Sequence, residues 1–418
     1  MLFLSCFSFF VEYFRMKSIL YLVHRLPYPP NKGDKITSFN LLKYLSKRYS
    51  VYLACFVDDK ADLEHVEYVK SFCKDACIVE LNPKSAKLFS VRGLLTGEPL
   101  SLPYYRNQKI QAWVDDTLKE QLIDSTLIFS GVMAQYVTGK LTADVKSVLD
   151  LEDVDSDKWR LYAKDHAWPM SWIYRREADK LLAFESAMAN EFDSTVFVSK
   201  DEADFFKKLV PSVADKVVHR TQGVDSAYFD PALDYESPYN KSDRVIVFTG
   251  AMDYWPNINA AVWFANTIFP KIKAQNNDAC FYIVGMSPSE EVKALAKLSG
   301  VFVTGGVPDV RPYIAHGEFS VVPLRLARGI QNKVLEAMAM EKPVLATSNA
   351  LQGIQEYSGF SPLVADDEAQ MIEGALALLS GTVKQDVSFG RNCVLEHYNW
   401  DTNLRRIEEL LINGLSDS

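Results

Sequence analysis

Val321-Val322-Pro323-Leu324-Arg325-Leu326-Ala327-Arg328-Gly329-Ile330-Gln331-Asn332-Lys333-Val334-Leu335-Glu336-Ala337-Met338-Ala339-Met340, followed by Lys342-Pro343-Val344-Leu345-Ala346-Thr347, carries the pattern from which the rest of the chain can be read. An apolar run ends at Pro323. A loop with Arg325, Arg328 and Gly329 opens a helical stretch, Ile330–Met340, and a second apolar run covers Pro343–Ala346. Strand, loop, helix and strand of these lengths form the unit of a parallel sheet covered by helices. The start of such a helix presents free backbone N–H groups and the positive end of its dipole to an anion. Gly329 allows a close approach to the backbone. Arg328 and Lys333 add positive charge toward a diphosphate. Glu336 has two readings, an acceptor for ribose hydroxyls or a carboxylate on a solvated helix face.

The same rhythm runs in both directions from this segment. Toward the amino end it gives strands at Val245–Thr249, Cys280–Val284, Val301–Thr304 and Phe319–Pro323, with helices at Ile258–Ile268 and Glu290–Leu298. A polar, proline-bearing stretch, Asp230–Asp243, interrupts it. Before that stretch, strands are expected at Ile19–Val23, Val51–Phe56, Ile78–Leu81, Leu127–Phe129, Val148–Leu151 and Ser194–Val198, with a helix over Ile36–Arg48. The chain therefore reads as α/β, with two doubly wound domains of Rossmann-like type facing each other across a cleft. The expected divisions are an amino-terminal extension 1–15, a first domain 16–217, a linker 218–243, a second domain 244–395 and a final helical segment 396–418. That last segment, with Leu404, Ile407, Leu410 and Leu411, is expected to pack back on the first domain.

Composition agrees with two cores. The 418 residues suit two domains of about 200 each. A hydrophobic share of 48% with 24% charged residues is that of a globular protein. A net charge of −9 argues against a general nucleic-acid binder. Cys6, Cys55, Cys73, Cys77, Cys280 and Cys393 are scattered, and the one C-x3-C pair has no second pair or histidine partner, so no zinc site is read. The first fifteen residues are apolar and aromatic. They are shorter than the roughly 20 residues of a spanning helix and have no basic stretch before them. Two readings stand, a start at Met16 preceded by a start-site artefact, or a segment that contacts a membrane.

Two further stretches carry chemistry. Leu149–Asp157 is acidic and has the look of a D-x-D metal motif; helix capping by Asp155 or Ser156 is the other reading. Trp159–Arg176 interleaves Trp159, Tyr162, Trp168, Trp172 and Tyr174 with Arg160, Lys164, Arg175 and Arg176. That pattern suits either an amphipathic surface for lipid or core aromatics with snorkelling cations. His24 and His166 lack metal-ligand spacing.

Taken together, these segments resemble family 4 retaining glycosyltransferases of GT-B fold. Lys333–Ala339 and Lys342–Ala346 match the K-x-L-E-A-M-A and G-x-P-V-V-A pattern of the family's donor site. Phe197–Glu202 is similar to its V-S-x-x-E stretch, Gly223–Pro231 to its N-G-V-D-x-x-x-F-x-P signature, and Phe248–Asp253 to the first strand and glycine turn of its donor domain. Val154–Trp159, Val307–Pro312 and Arg325–Glu336 resemble the sugar transferases of exopolysaccharide and exosortase loci. The resemblance covers nearly the whole chain from Met16.

The resemblance implies a glycosyltransferase (EC 2.4, hexosyltransferase-like) that moves a sugar from a nucleotide-diphosphate donor to a glycan or lipid-linked acceptor, with retention. It implies cytoplasmic work in bacterial surface-polysaccharide assembly, at the inner face of the membrane where peripheral contact is made. No nucleic acid, cofactor or metal is expected, because GT-B enzymes stabilise the leaving diphosphate with helix dipole and basic side chains. The donor residues implied are Gly250, Arg325, Arg328, Gly329, Ile330, Lys333 and Glu336. Lys32, Gly33 and Asp34 correspond to a loop for phosphate or acceptor, with a structural turn as the alternative. Asp153 and Asp155 are candidates for acceptor contact or general base, and Arg328 for a catalytic role. The chain departs from the family in two places. Arg328 stands where many members have the first Glu of E-x7-E, and Gly250–Asn257 lacks their Arg/Lys pair. A nucleotide-sugar epimerase and a non-catalytic nucleotide-sugar binder are the alternative functions.

Overall fold

A computed structural model of the chain describes residues 15–327, 329–354 and 362–414. They form two compact units: one runs through Arg220 and takes up the chain again from Leu404, and the other is Thr221–Asn403.

In the first unit the order is β1 (Ser18–Val23), α1 (Gly33–Ser46), β2 (Ser50–Val57), α2 (Val66–Lys70), β3 (Asp75–Glu80), α3 (Pro83–Ser90), α4 (Arg92–Thr96), α5 (Ser101–Tyr104), α6 (Gln108–Glu120), β4 (Ser125–Phe129), β5 (Lys146–Glu152), α7 (Asp155–Asp165), α8 (Met170–Glu191), β6 (Ser194–Phe197), α9 (Lys200–Leu209) and β7 (Val217–His219). The sheet order is β3-β2-β1-β4-β5-β6-β7, and every pairing is parallel. Continuous burial along β1 and β4 fits strands covered on both faces. β7 is a strand missing from the sequence reading; its three residues are too few to show a period.

The second unit contains β8 (Arg244–Thr249), α10 (Trp255–Trp263), α11 (Phe269–Gln275), β9 (Ala279–Val284), α12 (Glu290–Ala294), β10 (Val301–Gly305), α13 (Arg311–His316), β11 (Phe319–Val322), α14 (Asn332–Ala339), β12 (Val344–Ala346), β13 (Leu363–Val364), α15 (Glu368–Ser380) and α16 (Val387–His397). Its parallel sheet runs β10-β9-β8-β11-β12-β13. A π-helical turn, Phe264–Ile268, joins α10 to α11. Pro270 has no N–H to return to the preceding turn, which explains why the helix widens there.

The closing helix, α17 (Trp400–Asn413), buries Leu404, Ile407, Leu410 and Leu411. The Tyr44 hydroxyl donates to Glu408 Oε2 at 2.6 Å, tying α17 to α1 of the first unit. In each sheet the first strand lies between the second and the fourth, so the strand order reverses there. The crevice at the carboxyl ends beside that reversal is where open α/β sheets bind ligands.

Candidate functional site

In the second unit that position lies at the ends of β8 and β11. β8 ends at Thr249, and Gly250 follows with φ +153°. A Cβ on Gly250 would stand 2.8 Å from Asn257 Nδ2 and 3.3 Å from Lys333 Cε. A Cβ on neighbouring Gly285 would overlap the Gly250 carbonyl oxygen at 1.6 Å. Two glycines thus let the ends of β8 and β9 cross closely. Asn257 Nδ2 donates to the Ala251 carbonyl at 2.9 Å, and Asn257 Oδ1 accepts from Lys333 Nζ at 2.9 Å. Lys333 also lies over the Phe248 ring, 5.6 Å from its centroid. Asn257, which the sequence reading missed, therefore locks the glycine turn to the first turn of α14. Its position seven residues after Gly250, at the start of α10, was the available signal.

Lys333 and Glu336 lie one turn apart on α14. Burial pulls the Lys333 ammonium down to about 8, against the opposing pull of Glu336. Burial pushes the Glu336 carboxyl up to about 7, against Lys333. Each group is thus close to exchanging its proton near neutral pH, as expected for a cation and an anion in low dielectric without full compensation. The Gln331 side chain does not cap α14, and the first turn of α14 carries no acid. Asn332 Oδ1 in that turn is buried without a hydrogen-bond partner among the described residues. The helix start and Lys333 make a place where an incoming anion gains two partners, while Asn332 Oδ1, an acceptor, calls for a donor.

The other expected donor residues divide. Gly329 is buried with φ +65°, so the loop needs glycine there. Ile330 packs against the core, a structural role. Arg325 turns back onto α10: its Nη2 donates to Asn259 Oδ1 at 2.9 Å and its guanidinium stacks on Trp263, 5.0 Å from the centroid. Arg328 lies outside the described residues.

The first unit presents a different surface at its own reversal. Asp34 accepts from Arg25 Nη1 at 2.9 Å and faces His24 Nε2 at 3.1 Å, and Arg25 Nε also pairs with Asp58 at 2.8 Å. Burial pushes the Asp34 carboxyl up, but His24 and Arg25 outweigh it and hold it well below the usual carboxylate range. Lys32 and Gly33 begin α1, where the Lys32 carbonyl accepts from the Ile36 N–H at 2.8 Å. Arg220 and Asp150, both fully buried, pair at 2.8 Å. Glu152, at the end of β5, has φ +61°, and Arg220 Nη2 lies 3.4 Å from its carboxylate. Burial, with Asp150, Asp153 and Asp34 nearby and Arg220 opposing, pushes its carboxyl up to about 8. A non-glycine residue at positive φ, with its carboxyl pushed toward neutrality, is of the kind that functional sites collect. Glu152 stood inside the acidic cluster but was missed, because its backbone conformation is invisible in a sequence.

Asp153 and Asp155 both pair with Lys158, at 2.9 and 3.0 Å. Neither Asp155 nor Ser156 caps α7. Carboxylates from other helices do so: Glu202 accepts from the Val154 N–H and Glu185 from the N–H and hydroxyl of Ser156. No group of three or more acidic, histidine or cysteine side chains with metal-binding geometry occurs among the described residues. No helix among them is long and apolar enough to cross a membrane.

Known proteins agree with this architecture. HepE of Anabaena, in complex with UDP and glucose, superposes over 96% of this chain and 100% of its own, with a TM-score of 0.64 and 13% identity. Sucrose-phosphate synthase of Thermosynechococcus elongatus gives a TM-score of 0.68 at 15% identity, over 94% of this chain and 98% of its own. The fold is GT-B. Within it, residues 243–381, which hold the Gly250–Asn257–Lys333–Glu336 constellation, match the family model described as glycosyl transferases group 1. A relative from Klebsiella pneumoniae, an uncharacterized 44.6 kDa protein in the cps region, is 21% identical over 372 residues, 84% of this chain and 88% of its own.

Proposed function

We propose that the chain is a glycosyltransferase that takes a sugar from a nucleoside-diphosphate donor held by the second unit. The observation that carries this is the meeting of Gly250, Asn257, Lys333 and Glu336 at the strand reversal, beside the start of α14. The diphosphate lies against the first turn of α14 and Lys333, and Glu336 accepts from the ribose hydroxyls. In the transfer, the bond from the anomeric carbon to the diphosphate oxygen breaks, a bond to the acceptor oxygen forms, and the acceptor hydroxyl gives up its proton. Fixed dipoles and Lys333 stabilise the charge that develops on the departing diphosphate.

On the acceptor side, Lys32, Gly33 and Asp34 remain the loop for contact. Glu152 is better suited to exchange the acceptor proton than Asp153 or Asp155, which Lys158 already neutralises. Retention and a hexosyl donor follow from the resemblance. The structural neighbours crystallised with UDP make UDP-sugars the first donors to try; surface-polysaccharide assembly at the inner face of the membrane is what the resemblance implies, and one relative is encoded in a cps region.

The test is a thermal-shift screen of the full chain against UDP, GDP, ADP and dTDP without added metal, followed by product analysis. A rise with one nucleotide, and product formed only when acceptor is present, supports the reading. Sugar isomerised without acceptor would make the protein an epimerase, and binding without turnover a nucleotide-sugar binder.

A further inference from the structure

His24 follows the last residue of β1, so it stands at the carboxyl end of the first unit's sheet, beside the strand reversal. Its side chain is 13% exposed, and that of Asp34, in the first turn of α1, is 18% exposed. The imidazole lies nearly parallel to the Phe129 ring that ends β4, at 15° with 6.2 Å between centroids, and the Tyr105 ring meets it edge-on at 5.9 Å. These contacts fix the plane of the imidazole. Asp34 fixes its direction within that plane, with Oδ2 3.1 Å from Nε2. The other ring nitrogen, Nδ1, is buried and has no hydrogen-bond partner among the described residues.

The pairing decides which nitrogen carries the proton. The same Asp34 oxygen accepts from Arg25 Nη1 at 2.9 Å. Against the upward push of burial, His24 and Arg25 hold the Asp34 carboxyl well below the usual carboxylate range. An ionised carboxylate only accepts, so Nε2 supplies the hydrogen, and in the neutral imidazole Nδ1 is then a bare lone pair. A buried acceptor without a donor is costly, and it selects its partner: an O–H or N–H group satisfies it, and an oxyanion does not. The surrounding charge points the same way. Arg25 already serves two carboxylates, Asp34 and, at 2.8 Å, Asp58. Burial first, with Asp34 among the nearby charges, raises the Glu152 carboxyl, so the His24–Asp34 pair and Glu152 border the same strand ends. Lys32, at the N-cap of α1, favours a phosphate instead, and a phosphate probe therefore belongs in the test.

We propose that His24, oriented by Asp34, is an acceptor-binding residue whose Nδ1 takes a hydrogen bond from a hydroxyl of a sugar acceptor. The loop Lys32–Asp34 that begins α1 is then the acceptor's rather than the diphosphate's. That the hydroxyl belongs to an acceptor rests on the transferase reading. That the site takes a hydroxyl rather than a phosphate rests on the geometry of His24 alone.

The experiment is nitrogen NMR of the full chain carrying nitrogen-15 histidine, at about pH 8, where an imidazole is ordinarily neutral. The His24 signals are assigned by their loss in His24→Gln or His24→Asn. The labelled chain is titrated separately with methyl α-D-glucopyranoside, maltose and inorganic phosphate. The free protein is expected to carry the proton on Nε2 and none on Nδ1, and the Nδ1 signal to move with a glycoside and stay in place with phosphate. A proton on Nδ1, movement with phosphate, or no movement with either glycoside overturns the proposal. In a transfer assay, His24→Gln, whose amide still donates toward Asp34, raises the acceptor KM roughly tenfold and leaves the donor KM within about twofold. His24→Asn, which returns an acceptor close to the position of Nδ1, recovers most of that loss. Equal acceptor KM in the wild type and folded His24→Gln also overturns the proposal. A glycoside response in a chain that binds no nucleotide would leave His24 in its role and count against the donor assignment instead.

Discussion

The two sheets share one strand order around the reversal, yet their carboxyl ends carry charge in opposite states. In the first unit the cations that face the strand ends are already paired with anions, Arg25 with Asp34 and Asp58 and Arg220 with Asp150 and Glu152. In the second, Lys333 has a neutral amide at 2.9 Å and a glutamate one turn away, and burial holds its ammonium at about 8. A paired cation gains little from a new anion. An under-compensated one beside a helix start gains a good deal. Topology thus offers two equivalent crevices, and the proposed function assigns the diphosphate to the one whose cation is under-compensated.

The comparison breaks most completely at Gly285. A side chain there would overlap the Gly250 carbonyl oxygen, so Gly285→Ala costs about 3 kcal/mol or more of stability, read as a lower denaturation midpoint. A melting curve like the wild type would show that the two glycine turns do not cross as described. Next in size is the pH dependence of nucleotide binding. With Lys333 at about 8, a bound diphosphate raises that value, so the complex takes up a proton. The Lys333 contribution to affinity then falls as the pH rises through about 8, by up to roughly twentyfold between about pH 7.5 and 9.5. Calorimetry in buffers of different ionisation enthalpy would show the uptake; a flat profile would count against Lys333 as the diphosphate contact. Smallest is the effect of Asp34→Asn on nucleotide binding. It removes the partner of Arg25 and His24 and costs roughly 1–3 kcal/mol of stability, while UDP affinity stays within about twofold. A large loss of affinity would shift the donor toward the first unit.

How much of this was legible beforehand follows from what each feature depends on. Apolar runs and helical spacing gave the strands flanking Arg325–Glu336 and the two doubly wound sheets, because full burial leaves a continuous signal. β7 and the helices from Pro83 to Tyr104 escaped, being too short for a period. Lys333 and Glu336 were named from the strand–loop–helix pattern and Gly250 from the resemblance; Lys333 lies against Gly250 and interacts with Glu336. Arg325 was named for its charge, but it is held by Asn259 and Trp263, contacts that only packing reveals. Asp153 and Asp155 were candidates for acceptor contact or general base; their pairing with Lys158, and the positive φ of Glu152 beside them, have no sequence signature. The tryptophan-rich stretch divides into Trp159, Tyr162 and Tyr174, packed on one another, and Trp168 and Trp172, which are exposed, a division set by packing and invisible in the sequence.

The central claim is that the second unit's reversal holds the nucleotide. Its most direct test is the UDP dissociation constant, by calorimetry, of the wild type, Lys333→Met and Glu336→Gln, each checked for an unchanged circular dichroism spectrum. The account predicts that the wild type binds and that each variant loses about 2 kcal/mol, roughly thirtyfold in affinity. Folded variants that bind UDP as tightly as the wild type would contradict it.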